Sequence, residues 1–512
     1  MAVEKQEGRV VGLAVTRETD KRELPENPVW ETREPNDFSD FGAEYATTAR
    51  RPYSVNRQRK KGNVTDRDDK FGWNEDVTQH NMLPRIEEFC FAEARRTAKT
   101  FSTAINAVSG EFTVTEEAGF LAGSLILAGG FGIATNNGLK VVDTIADGKV
   151  GVVTVLTAEA AAPKGANIKV VGHAFPAGDL SIAKVGALVV ITSGAVDFND
   201  LPLIPGQWLF IGGDAVGDQF ADMKPGYARI SVNGIADDGA SIAFDKTTFA
   251  VPDDLDDDGE TKTLRIFFGD VVKNEDDPDL IKRFTLQAER FLGRDDNGRQ
   301  SEYFEGGVAN ELTWNSPMAD KVTVDLAYIA MYYGKRPGAL GPKSLTAGST
   351  LLKALGEEAI NTTSNVYRLR LSVIDPETLN PTPMFARVTE WTMTIANGTS
   401  ANKAQGVLGA FDMSSGMFEV DGSFTGYFGT VASLEAIEDN ADTTFDAIYS
   451  KKNAAIIMDV PLIGPGGGAL DVSMDEAVMI PVTTAAAESP FGHTILFTWL
   501  PYVPNVGNAT GG

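Results

Sequence analysis

The sequence predicts a mainly β protein: a β-sandwich or rolled sheet with one flanking helix, plus a small β domain inserted into it. Three observations carry that prediction. After residue 270 the chain alternates polar and apolar residues with period two, the pattern of strands with one buried face. Between 101 and 270 short apolar runs are separated by glycine-rich turn signals. Only the stretch 83–99 spaces its apolar residues as a helix does. At 512 residues the chain exceeds one ordinary core. The expected division is 1–100 (an arm, a basic loop and the first part of the main domain), 101–270 (the insertion) and 271–512 (the rest of the main domain).

Taken in order, the first 80 residues are polar and irregular. Arg50, Arg51, Arg57, Arg59, Lys60, Lys61, Arg67 and Lys70 crowd one stretch, opposed by Asp66, Asp68 and Asp69. The chain carries 45 Lys and Arg against 71 Asp and Glu, a net charge of −26, so this patch departs from the average. It reads either as a solvated loop or as an arm that docks on acidic surfaces of neighbouring copies. Nucleic-acid binding is the poorer reading, because the aromatics available to stack on bases are limited to Tyr53, Phe71 and Trp73. The helix follows, with Asn81 as its expected cap, Pro84 in its first turn and Glu87 and Glu88 near its positive end. Leu83, Ile86, Phe89, Cys90 and Ala94 share one face, and Arg95, Arg96 and Lys99 close the C-terminal end.

In the inserted stretch two pieces share a grammar. Ser124–Thr154 has an apolar run, a loop to Gly138, a second run and a turn at Asp147-Gly148. Gln207–Phe244 repeats the order with a turn at Asp238-Gly239, which points to two related modules. Further on, Lys321–Leu326, Arg368–Leu371, Trp391–Ile395 and Glu419–Phe424 alternate cleanly, and Ala454–Pro461, Ala477–Val482 and Thr494–Tyr502 complete the strands. The Pro and Gly residues at 464–468 read as a loop, with Asn397-Gly398 as a tight turn.

Catalytic chemistry finds little to stand on. His80, His173 and His493 are the three histidines, each alone in sequence. No HExxH, paired CxxC or GxSxG pattern occurs, and Pro465–Gly468 lacks the Lys-Ser/Thr of a phosphate loop. No enzyme and no cofactor are expected. Cys90, the single cysteine, excludes an internal disulfide. Asp254, Asp256 and Asp258 before Gly259 open like a calcium loop, yet Arg265 stands where a ligating Glu is required. A solvated acidic turn is the plainer reading. The charged opening MAVEKQEGRV has no signal-peptide core, and no apolar run approaches the length of a membrane span. No membrane anchor is expected, and the protein is read as one made in a reducing cytosol.

Three stretches carry a resemblance: Arg283–Gly293 (RFTLQAERFLG), Tyr303–Tyr333 and Thr389–Phe428. Their wording resembles the major tail tube proteins of long-tailed bacteriophages. The resemblance implies a virion structural protein assembled in the bacterial host cytoplasm and located in the tail. Its partners would be other copies of itself, as stacked hexameric rings whose inner strands join in a ring-wide β-barrel. Tape measure, tail terminator and distal tail proteins would join them, and double-stranded DNA would pass through without tight binding. Glu302, Glu305, Glu311, Asp325, Glu390, Glu419 and Asp421, on the wet faces of the strands, are the candidate lumen acids. The alternatives are another virion shell component, such as a capsid or decoration protein, or a carbohydrate- or surface-binding β protein.

Overall fold

A computed structural model describes residues 11–509 apart from 52, 54, 56, 57, 107–109, 375–381 and 386. Strands dominate it, with two α-helices among the described residues. The chain folds as two compact units, and each draws on distant parts of the sequence. One comprises Met1–Ala92, Asp277–Ile360 and Glu390–Ser423; the other comprises Glu93–Asp276, Asn361–Thr389 and Phe424–Gly512.

The first unit is organised around the 19-residue strand Gly298–Ser316, which serves two sheets. Its first half lies between Leu286–Asp295 and Tyr332–Arg336. From Val308 onward it lies between Thr323–Ala330 and residues 391–396. Gly306, at φ +64°, and Gly307 mark the change of partners. A Cβ on Gly307 would sit 2.6 Å from the Phe71 ring, so only glycine lets the strand pass there. The alternation read from Lys321–Leu326 matches a strand that buries Val324, Leu326 and Tyr328 and exposes Asp325. Tyr328 stacks on Phe71 and Trp73 at centroid distances of 5.0 and 5.3 Å, and this aromatic layer forms the buried face.

The helix is shorter than its spacing predicts. It occupies Leu83–Cys90, and Phe91 (φ 49°) turns left-handed to end it. Lys99, expected in the last turn, opens a strand instead. Pro84 does sit in the first turn, but Met82 is the cap residue. Asn81 instead accepts from the Thr78 N–H at 2.9 Å and donates to the Asp76 carbonyl at 2.7 Å. Glu87 and Glu88 are buried, not dipole ornaments. Arg17 donates to both, Arg85 lies 3.1 Å from Glu88, and the Tyr328 hydroxyl donates to Glu88 at 2.9 Å. Buried carboxylates persist only when paired in this way.

In the second unit residues 99–267 form two modules with one pairing scheme. The strands of the first are Lys99–Asn106, Glu111–Val114, Ser124–Gly129, Gly138–Ala146, Lys149–Val152 and Asn167–Ala174. Its first strand pairs with the second, the second with the fifth, the fifth with the fourth and the fourth with the third. The sixth pairs with both the third and the first, which closes a barrel without edges. The second module runs through Ser181–Val185, Leu188–Thr192, Trp208–Ile211, Gly226–Ile235 and Ser241–Thr247 in the same scheme. Its closing strand is split: Asp256–Asp257 pairs with the first strand and Arg265–Phe267 with the third. The two closing strands also pair antiparallel with each other, Gly172 opposite Phe267. One continuous apolar core runs through both modules.

The same unit contains a sheet in which Thr443–Lys451 pairs with Val366–Val373 and Ala454–Gly467, and Leu496–Leu500 joins the latter to Asp270–Lys273. Pro465, Gly466 and Gly467, expected in a loop, continue the strand and pair with Val482–Thr484. A buried ion cluster lies within this unit. Arg229 donates to Asp245 at 2.9 Å and to Asp459 at 3.1 Å. Lys246 contacts Asp446, which also accepts from Arg368 at 3.2 Å.

Candidate assembly surfaces

The feature most suited to contact other molecules is a long hairpin in the first unit, Pro35–Ala49 paired with Gly62–Asp76. Near its root the second strand buries Phe71, Trp73 and Glu75, because every second side chain faces the aromatic layer. Farther out the burial ends: residues 44–48 and 63–65 are exposed on both faces. There the strands are held by their backbone ladder and by minor contacts such as Thr48 with Thr65 at 3.4 Å.

The tip bears the basic patch. Arg50, Arg51, Arg59, Lys60 and Lys61 are exposed, as are Tyr53 and Val55; Arg57 lies outside the described residues. Arg67 does not belong with them. Its side chain is buried, donates to Asp69 at 2.9 Å and stands over the Tyr332 ring, so it secures the middle of the hairpin. The nearby acids are occupied as well. Lys403 donates to Asp66 and Asp68, each at 2.6 Å, and the Asp66 bond holds that carboxyl below its usual range. Among the described residues the positive charge of the tip is therefore left without local compensation.

The candidate lumen acids separate into two groups. Glu302 is buried, with Arg290 and the Tyr333 hydroxyl donating to it, so it is not on a wet face. Glu305 accepts from Lys343 at 2.6 Å and Arg22 at 3.0 Å. Both sit where the sheet meets its own arginines and lysines, partners that alternation cannot reveal. Glu311, Asp325, Glu390, Glu419 and Asp421 are exposed. Asp325 accepts from Asn74 at 2.8 Å and Asn315 at 2.7 Å, and Thr313 contacts Thr394 at 3.1 Å across neighbouring strands. This sheet thus has a buried aromatic face and an opposite face of Asn, Thr, Asp and Glu.

In the second unit Asp254, Asp256 and Asp258 point to solvent, while the intervening Asp257 is buried. Asp257 accepts from the N–H groups of Ala221, Asp222 and Gly259, and these bonds lower its pKa against the cost of burial. Among the described residues no three His, Cys, Asp or Glu side chains gather as a metal-binding group. The pairing of Asp256 and Asp257 with Ser181–Val185 makes this stretch a strand, and a strand spreads successive carboxylates apart. Among the described residues no helix is long and apolar enough to cross a membrane.

A long hairpin with an exposed basic tip, beside a sheet with one polar face, has the features of a structural protein that assembles. Residues 106–486, well over half of the chain, match the family model of the phage tail tube protein, and the chain belongs to that family. No curated protein matches the chain. The matched span contains all three stretches that carry the resemblance and most of both β modules; the hairpin and the helix precede it. Family membership makes the chain a structural component of the virion tail that assembles with itself into the tube.

Proposed function

We propose that this protein forms hexameric rings that stack into the tail tube, and that the tube is the conduit through which DNA is ejected. The observation that carries the proposal is the family match, joined by a sheet with one polar face poor in arginine. In this reading Glu311, Asp325 and Glu390, with Glu419 and Asp421, supply acid to the lumen, where it repels phosphate and keeps DNA from sticking. The exposed tip residues Arg50, Arg51, Arg59, Lys60 and Lys61 form an arm that docks on a neighbouring copy. No catalysis and no cofactor enter the mechanism. Assembly takes place in the host cytoplasm with tape measure, terminator and distal tail proteins as partners. The stretch 101–270 acts as a decoration on the outside of the tube.

Negative-stain electron microscopy of the concentrated protein at moderate salt tests this reading. Hollow tubes or six-fold rings are the expected result. Closed shells would overturn it. Arg59→Glu, Lys60→Glu and Lys61→Glu together should leave a folded protein, checked by circular dichroism, that forms no tubes.

A further inference from the structure

The hairpin has two chemically opposite ends. At its root, beside Glu34 and Asp76, the first unit contains a cleft of about 210 Å³ between the strand Val29–Arg33 and residues 352–357. Glu31, Glu34, Asp76 and Glu357 line it, and Leu352 and Leu355 are exposed at 46% and 64%. Asp76 is paired with Lys321 at 2.7 Å and Glu357 with the His80 ring at 2.5 Å, whereas Glu34 has no ion-pair partner among the described residues. Glu31 has only distant cations, Arg33 and Arg85, each at 3.7 Å. Arg33 is committed to the buried Glu75, which leaves Lys353 as the remaining Lys or Arg in the lining. Glu31 and Glu34 therefore offer the cleft's unspent negative charge beside an apolar wall.

The tip offers the complement. Five exposed Lys and Arg residues accompany Tyr53 and Val55, whose side chains are fully exposed. Each strand of the hairpin has 15 residues, so tip and root stand roughly 45–50 Å apart along it. A copy cannot fold its own tip back into its own cleft across that paired length. We propose that the basic tip of one copy docks in this acidic cleft of a second copy. This rests on the docking reading above and supplies its receptor. Because tip and cleft lie at opposite ends of one element, the contact is head-to-tail and repeats without limit along a stack. Charge provides the attraction, and Tyr53 or Val55 against Leu352 and Leu355 removes apolar surface from water.

Cysteine cross-linking tests the pairing directly, because burial raises the pKa of the native Cys90 thiol and keeps it unreactive. Lys60→Cys and Glu357→Cys are placed in separate copies, mixed under assembly conditions and oxidised. The expected result is a covalent dimer from the mixture and none from either variant alone. A second pair of variants separates the two levels of inference. Glu34→Lys with Glu357→Lys should raise the concentration needed for assembly at least tenfold. Adding Arg59→Glu, Lys60→Glu and Lys61→Glu to that protein should restore assembly. If arm reversal blocks assembly while cleft reversal and cross-linking do nothing, the arm docks elsewhere and this inference is overturned. If arm reversal itself leaves assembly unchanged, the docking reading fails along with it.

Discussion

The buried ion cluster of the second unit allows a quantitative test of what holds that unit together. Three cations, Arg229, Lys246 and Arg368, meet three anions, Asp245, Asp446 and Asp459. Lys246 is 1% exposed, and Asp446 and Asp459 are fully buried, so neither sign can turn to water when its partner is lost. Lys246→Met keeps the length of the side chain and removes the charge; Asp459→Asn keeps the shape and removes the opposite charge. Each alone leaves one buried charge in excess and should cost about 3–5 kcal/mol. Together they restore neutrality, so the double variant should lose several kcal/mol less than the sum of the two, a coupling of about 2 kcal/mol or more. Urea unfolding followed by circular dichroism measures this, provided the m-value is unchanged among variants. Additive losses would show that the charges do not sense one another. A loss below about 1 kcal/mol for either single variant would refute the buried-charge reasoning.

Other consequences are open to direct measurement. Burial lowers the pKa of His173 to about 4; burial, with Lys273 and Arg229 nearby, lowers that of His493 to about 3. Unfolded chains bind these protons below about pH 6.5 and the folded protein does not, so stability should fall as pH drops from 6.5 toward 4. Each histidine contributes at most about 1.4 kcal/mol per pH unit. His493→Leu should flatten that slope in acid unfolding curves, and an unchanged slope would count against it. Gly172→Val should destabilise by about 1–3 kcal/mol, because a Cβ there would lie 2.4 Å from the Ile266 carbonyl on the paired closing strand. Thermal melts read this directly, and a neutral result would mean that the two modules are free to separate. Tubes formed near 0.05 M salt should disassemble progressively toward 0.5 M, as the Debye length shrinks below the spacing of exposed charges. Light scattering follows this, and salt-indifferent tubes would remove charge from the account of stacking.

The strands were legible where one face is wet. Residues 368–371 and 391–395 fall inside observed strands, and of 321–326 all but the first two do, since period two is imposed by the pleat itself. The shared turn grammar of the modules was legible for a similar reason, because Asp147 and Gly148 both take φ above zero at their hairpin. What alternation cannot supply is the partner across the fold. Glu302 looks wet in sequence and is buried because Arg290, on the adjacent strand, reaches it. Arg67 looks like part of the arm and is fixed by Asp69 two residues on, one strand face above the tip. The helix misled through its residues 94–99, whose spacing continues the pattern even though Phe91 turns the backbone away. Pro465–Gly467 have turn composition but are held in a ladder by Val482–Thr484, a register that only the folded chain defines. The acidic cleft was invisible for the same reason: Glu34 and Glu357 are separated by most of the unit's sequence and meet only in space.

The separation of charge along the hairpin also acts before any contact is made. Positive charge at the tip and negative charge at the root give each copy a permanent electric moment along this element. On the proposed pairing of tip and cleft, an approaching copy in the field of a growing end experiences a torque that turns its root toward the waiting tips. The opposite orientation sets like charges face to face and is repelled. In the docking proposed above, direction along the tube is thereby chosen during diffusion. If tips dock in clefts as proposed, the two ends of a finished tube differ in kind, one presenting the cations of the tips and the other the open clefts, so that whatever caps one end is electrostatically unsuited to the other.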